Sequence, residues 1–224
     1  MEVLKYVFLG LLIICSVIHL YHSYIDDAKK RAVTKPFLLI FILLYYLCAA
    51  GGNYSIFLIV ALATSWLGDV LLIKKGDFWF SMGGMAFIAS HLSFILLYYT
   101  QTGFADINYA LVIPIALIYC TISVIIITRV GANVPKVMLC LMCFYLLCNS
   151  AMNVFALIQL TEAPGKATAV AYVGAVLFFI SDCLLFLVRY YKKKDLIYKK
   201  HFFVMLTYIL GEFMITLGTL MLHG

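Results

Sequence analysis

Long apolar stretches separated by short polar connectors dominate this chain. A helix needs about 20 apolar residues to cross the hydrocarbon core of a bilayer. The sequence offers eight such stretches, at 3–23, 36–51, 54–73, 79–99, 108–128, 136–159, 168–189 and 201–222. The connectors are too short to hold a soluble domain. The expected fold is therefore all-α and integral to a membrane: an eight-transmembrane-helix bundle, with residues 1–224 as one polytopic transmembrane domain.

Composition agrees with the pattern. Of 224 residues, 66% are hydrophobic and 12% charged, with a mean hydropathy of +1.08. So few polar side chains could not cover a soluble surface. The first stretch has the charged start and apolar run of a secretion signal. It lacks a small-x-small cleavage site and continues into Tyr21, His22 and Tyr24, so it is expected to be retained. The cysteines are odd in number, seven, and all fall in apolar stretches. Cys140-x-x-Cys143 then reads as helix packing rather than as a zinc or redox pair.

Charge placement predicts orientation. Lys29, Lys30, Arg31 and Lys35 lie at the first connector, and Lys74 and Lys75 at the third. Arg129 and Lys136 flank the fifth, and Arg189, Lys192, Lys193, Lys194, Lys199 and Lys200 the seventh. Only Lys5 and Lys166 remain for the other side. The positive-inside rule then puts the odd connectors in the cytoplasm and both termini outside it. These charges have a topological explanation, so the net charge of +6 does not argue for nucleic acid.

Against this background two acids stand out. Asp69 lies in Ser65-Trp66-Leu67-Gly68-Asp69-Val70-Leu71-Leu72 and Asp182 in Phe179-Ile180-Ser181-Asp182-Cys183-Leu184-Leu185. An ionisable residue in hydrocarbon costs roughly 2.5–3.5 kcal/mol on insertion scales, so it usually faces a cavity or a partner and has a task there. Asp69 precedes Lys74 by five residues and Asp182 precedes Arg189 by seven. At about 1.5 Å per residue both lie roughly 8–10 Å below the cytoplasmic boundary. The two motifs are 113 positions apart, each on the third helix of its half, which reads as a weak repeat of two parallel four-helix units. Functional sites in such proteins sit at the repeat interface.

Two carboxyl groups close together in a site of low dielectric do not both ionise easily, and the pair can offer a general acid and a general base together. Other polar residues join the candidate site with two readings each. His91 either orients a carboxylate or is a satisfied core histidine. Glu212 either extends the polar cavity or bonds a neighbouring helix; both would sit near the midplane, about one and a half turns deeper than the aspartates. Asn149 and Asn153, four apart on one helical face, read first as interhelical glue. Lys35 precedes Pro36 at the expected start of the second helix, where backbone N–H groups favour a phosphate, although snorkelling explains it equally. His19 and His22 carry no distinctive spacing. No His-Glu-x-x-His, Gly-x-Ser-x-Gly or phosphate-cradling glycine loop is present, which speaks against metalloprotease, serine hydrolase and nucleotide-driven pump.

The Ser65–Leu72 segment, Phe87-x3-His91, Leu177-Phe178-Phe179-Ile180-Ser181-Asp182 and Tyr208-Ile209-Leu210-Gly211-Glu212 occur in the order and spacing of the YhhN-like lysoplasmalogenases, which the chain resembles over nearly its whole length. Thr34-Lys35-Pro36 is similar to that family's start of the second helix. One departure is Gly211-Glu212, where the family pattern has Ala-Gln. The resemblance implies a membrane hydrolase that cleaves the vinyl ether of lysoplasmalogens to a fatty aldehyde and glycerophosphoethanolamine or glycerophosphocholine, with no metal or organic cofactor. It implies Asp69 and Asp182 as catalytic residues, with His91, Glu212, Asn149, Ser65 and Ser181 as a supporting polar site. Lys35, Lys74 and Arg189 are expected at the head-group phosphate. The expected partners are a lysophospholipid and the bilayer, in a bacterial inner membrane or, in a eukaryote, the endoplasmic reticulum. The rival reading is a proton-coupled transporter or channel that uses the same carboxylates as a relay.

Overall fold

Each expected apolar stretch corresponds to one helix in the computed structural model, which describes residues 2–191 and 199–223. The helices are α1 (Glu2–Tyr24), α2 (Ala28–Ala49), α3 (Ile56–Ile73), α4 (Asp77–Thr102), α5 (Tyr109–Val130), α6 (Lys136–Glu162), α7 (Lys166–Tyr190) and α8 (Lys200–His223), with a short 3-10 turn at Gly131–Asn133. All eight are long and apolar enough to cross a membrane, the architecture of an integral multi-pass membrane protein. The basic residues Lys192, Lys193 and Lys194 lie outside the described residues.

The second helix differs most from its expected bounds, starting at Ala28 rather than 36. Asp27 caps it by accepting from the Lys30 N–H at 3.2 Å. The cap places Lys29, Lys30 and Arg31 in the first helical turn. Pro36 is therefore interior, not the first helical residue. It lacks the N–H that would bond the Ala32 carbonyl, and its own carbonyl accepts from Trp66 Nε1 on α3 at 3.1 Å.

Apolar side chains on α1 and α5, among them Val7, Ile14, Val17, Ile113, Leu117 and Val124, face outward, as a lipid-facing surface requires. The interior belongs mainly to α4, α6, α7 and α8. Consecutive helices pack within residues 2–102 (α1 on α2, α2 on α3, α3 on α4), and the same order recurs from α5 to α8. Between the halves, α8 packs on α2 and α4 packs on α6.

In lipid, helices associate through close packing rather than through water exclusion, which favours small residues at contacts. The α7–α8 interface obeys this rule. A Cβ on Gly174 would lie 2.7 Å from the Ile215 backbone nitrogen, and one on Gly211 would lie 2.9 Å from the Gly174 carbonyl oxygen. The two backbones touch, fixing α8 against the helix that carries Asp182. Phe178, fully buried on α7, fills the centre with ring contacts to Phe87, Phe94, His91 and Tyr208.

Candidate active site

Asp69 and Asp182 line one cavity of about 460 Å³, within the usual range for small-ligand sites. Its walls come from α1, α2, α3, α4, α7 and α8. It reaches the basic end of the bundle, where Arg31, Lys75, Arg189 and His201 also line it. Asp69 is 2% exposed and Asp182 4%, so both acids are recessed into this hollow rather than presented at its rim.

The acids are held in parallel ways by chemically different partners. Asp69 on α3 is gripped from α2 and α8: Lys35 Nζ lies 3.0 Å from Oδ1, and Tyr208 donates its hydroxyl to Oδ2 at 2.8 Å. Asp182 on α7 is gripped from α6 and α4. Tyr145 donates to Oδ2 at 2.8 Å, Asn149 Nδ2 donates to the same oxygen at 2.7 Å, and His91 Nε2 stands 3.4 Å from it. Asp69 thus has a cationic partner and both oxygens engaged. All three contacts described for Asp182 fall on Oδ2, which leaves Oδ1 as the oxygen available to a ligand.

The remaining expected residues separate into those at the site and those beyond it. Asn149 bonds Asp182 across from α6 to α7, the interhelical bond expected of it, with the acid itself as acceptor, while its own side-chain carbonyl accepts from Asn153 Nδ2 at 3.1 Å. His91 touches Asp182 instead of lying deeper, because depth counted along helix axes ignores helix tilt and side-chain reach. Ser181 lines the cavity but donates to the Val204 carbonyl at 2.9 Å, tying α7 to α8. Ser65 pairs with Ser90 at 2.7 Å within the buried interior, outside the cavity lining. Glu212 is fully buried, neither carboxyl oxygen has a hydrogen-bond partner among the described residues, and it does not line the cavity.

The head-group residues need two corrections. Lys35 does not stand at a helix N-terminus. With α2 starting at Ala28 it lies about 10 Å into the helix, and its ammonium serves Asp69. Lys74 stacks over Trp79, 3.8 Å from the ring centroid, and it is Lys75 that lines the cavity. The α3 helix ends at Ile73 and Lys74 is extended, so the two consecutive lysines diverge. Arg189 does line the cavity, with Nη2 donating to Asp77 at 3.1 Å and its guanidinium over the Phe80 ring.

Tyr145 and Tyr208 are the residues that reading the sequence left without a role. Both carry a signal in hindsight. Tyr145 is one turn from Asn149 on the face that continues to Asn153, and Tyr208 is one turn from Glu212. Arg31 and Lys75 were assigned only to topology.

No curated protein and no solved structure matches the chain. The sequence profile of the YhhN family matches residues 30–219, and the protein belongs to that family.

Proposed function

We propose that the protein hydrolyses the vinyl ether bond of lysoplasmalogens, using Asp69 and Asp182 as an acid–base pair. The observation that carries this reading is that two recessed carboxyl groups share one cavity while, among the described residues, only Asp69 has an ammonium partner. Asp182 then carries a proton on Oδ1 and delivers it to the distal alkene carbon. The new C–H bond draws on the alkene π electrons and leaves an oxocarbenium ion. Asp69, the carboxylate partner of Lys35, stabilises that cation and orients a water. The water oxygen attacks the oxocarbenium carbon and its proton returns to Asp182. The resulting hemiacetal collapses to a fatty aldehyde and the glycerol hydroxyl of the glycerophospho product.

Several features support this reading over transport. The lining cations Arg31, Lys35, Lys75 and Arg189 outnumber the two lining aspartates, so the hollow favours an anionic ligand such as a phosphodiester head group. A second cavity of about 300 Å³ at the far ends of α1, α2 and α8 shares no lining residue with the first among the described residues, and an ion relay would need a polar path between the two. The grip on Asp69 from α2 and α8 and on Asp182 from α6 and α4 also fits two parallel four-helix repeats meeting at the site. By the charge rule, the cavity opens to the cytoplasmic leaflet and both termini lie outside the cytoplasm.

The test is to give purified protein a lysoplasmenyl lipid and its saturated alkyl analogue and to measure aldehyde. Only the alkenyl lipid should react, and Asp69→Asn and Asp182→Asn should each abolish release. Proton flux in proteoliposomes without any change in lipid would instead establish the transport reading. Near-normal turnover in either variant would remove that residue from the mechanism.

A further inference from the structure

Two pairs of the helices that wall the cavity are locked together. The α7 and α8 backbones touch at Gly174 and Gly211, and Ser181 ties them again beside the cavity by donating to the Val204 carbonyl. On the other side, a Cβ on Gly83 of α4 would lie 3.3 Å from the Gly68 carbonyl oxygen of α3. The seam between α4 and α7 is different. α4 packs on α3 and α6, and α7 on α5, α6 and α8. Across the seam the Phe80 ring meets Phe186 and Tyr190, and Arg189 lies over Phe80 and bonds Asp77. These are side-chain contacts, and side chains can turn aside where touching backbones cannot.

A narrow void lies in this seam, closed on its third side by α6. Leu72, Phe80, Phe87 and Leu185 line both the void and the cavity, so the two adjoin. Every residue lining the void is apolar apart from Tyr145, whose hydroxyl is given to Asp182. Leu185 and Phe186, one turn beyond Asp182 on the same face of α7, line it as well. Asp182 therefore stands where void and cavity meet. Gly84 on α4 and Leu141 on α6 also line the void, and both are half-buried. Gly84 is seven residues into α4 and Leu141 five into α6, about 8–10 Å below the basic end. That depth is hydrocarbon, and the neighbouring Met85 is exposed.

The void holds about 20 Å³, the room of one water, and its apolar lining makes it a dry seam rather than a water site. Met138 and Met142 form part of its α6 side. Methionine is unbranched and adapts its shape readily, so the seam can widen without moving a helix. The cavity beside it determines what would enter. The head group of a single-chain lipid belongs with Arg31, Lys75 and Arg189, and its reacting bond with the two acids. The hydrocarbon chain begins at that bond. It needs an apolar path from Asp182 to the bilayer, because a chain folded back among the cations would strip them of water.

We propose that this seam seats the hydrocarbon chain of the lysolipid, which leaves Asp182 and passes between Gly84 and Leu141 into the bilayer. The inference rests on the reading of the cavity as a lysophospholipid site, and it makes Gly84 a determinant of the chain length accepted. A Cβ there would meet Leu141 Cδ2 at 3.8 Å and Tyr145 Cδ2 at 4.0 Å, both ordinary contacts. The first carbon of a side chain is therefore accommodated, and the rest of a larger one takes the space of the lipid chain.

The test compares two alkenyl lysolipids with the same head group, a 1-hexadecenyl and a 1-butenyl ether. The quantity read is the ratio of their kcat/KM values, long over short. It is measured in wild type, Gly84→Leu, Leu141→Phe and the double variant Gly84→Leu with Leu141→Ala. Filling the seam from either wall should lower the ratio about tenfold or more, the scale on which a pocket discriminates by one methylene. The double variant returns the lost volume and should recover most of the ratio. Because the ratio is internal to each variant, a general loss of folded protein does not alter it. Leu141→Phe reads the same seam should Gly84→Leu fail to fold. A ratio left unchanged by Gly84→Leu or by Leu141→Phe overturns the proposal, since the chain then leaves by another wall.

The saturated 1-hexadecyl and 1-butyl analogues, measured as equilibrium binding, separate this inference from the catalytic one. If no aldehyde is released but the chain preference in binding falls in the filled variants, the hydrolase reading fails and the chain seat stands. If aldehyde is released and the preference is unchanged in the filled variants, only the chain seat fails.

Discussion

The Lys35 ammonium lies 3.0 Å from Asp69 Oδ1, so a lysine well inside α2 neutralises a carboxylate that is almost wholly buried on α3. Removing one member of a buried pair strands the other, at a cost of about 3–5 kcal/mol. Lys35 retains 17% exposure, which sets the expectation at the low end of that range. Lys35→Met should lower the thermal unfolding temperature in detergent and abolish aldehyde release. Adding Asp69→Asn to Lys35→Met should recover much of the stability but none of the activity. A double variant no more stable than Lys35→Met would show that the pair does not couple.

Tyr145 and Tyr208 each give one hydrogen bond to one acid, so their phenylalanine variants separate the two grips. Tyr208 bonds the acid proposed to be ionised, where a hydrogen bond contributes about 1.5–3 kcal/mol, and Tyr145 bonds the one proposed to be protonated, where it contributes about 0.5–1.5 kcal/mol. Tyr208→Phe should therefore lose about ten- to a hundredfold in kcat, and Tyr145→Phe up to about tenfold. Asp182 retains its Asn149 bond, with His91 3.4 Å away, when Tyr145 is changed, whereas among the described residues Asp69 retains only Lys35 when Tyr208 is changed. Tyr208→Phe should be the more damaging, and the reverse order in single-turnover rates would contradict this account of the supports.

Glu212 is fully buried, both its carboxyl oxygens lack a hydrogen-bond partner among the described residues, and it lies outside the cavity lining. In a site that penalises an unpaired charge by several kcal/mol, the amide stands in for the neutral form of the acid. Glu212→Gln should leave thermal stability unchanged or raised. Aldehyde release should stay within about tenfold of wild type, equivalent to about 1.4 kcal/mol of barrier. Complete loss of turnover in a stable variant would instead give Glu212 a part in the chemistry.

Gly211 allows the α8 backbone to touch α7, and a Cβ there would press on the Gly174 carbonyl oxygen and the Phe178 nitrogen, both 2.9 Å away. Backbone cannot rotate aside as a side chain can. Gly211→Ala should cost about 1–3 kcal/mol, the range for overpacking a well-filled interior. Because α8 also carries Tyr208, kcat should fall along with the unfolding temperature. Unaltered stability would mean that the helices separate at little cost.

Much of this protein was legible in the chain itself. Eight apolar stretches gave eight helices because a bilayer leaves backbone polar groups no partner but one another, so length and hydropathy suffice to find the spans. Asp69 and Asp182 were conspicuous for the same reason, since hydrocarbon penalises charge. The start of α2 was misjudged because Pro36 looked like a first helical residue, while the cap that matters is Asp27. Periodicity along one helix could group Tyr145 with Asn149, but it could not say which acid they serve.

Partnership across helices was decided by the tertiary structure alone. Lys35 and Asp69 are far apart in sequence, as are Tyr208 and Asp69 or His91 and Asp182, and helix rotation, tilt and side-chain reach determine whether they meet. Lys74 and Lys75 are adjacent in the chain, yet one stacks on an indole and the other lines the cavity. His19 had no distinguishing spacing, and only packing against α2 turned it towards Thr34. The sequence determined which segments enter the membrane, because transfer from water is a sum over local side chains. The tertiary structure decided which polar groups share a hollow, because that depends on contacts between helices that no local sum contains.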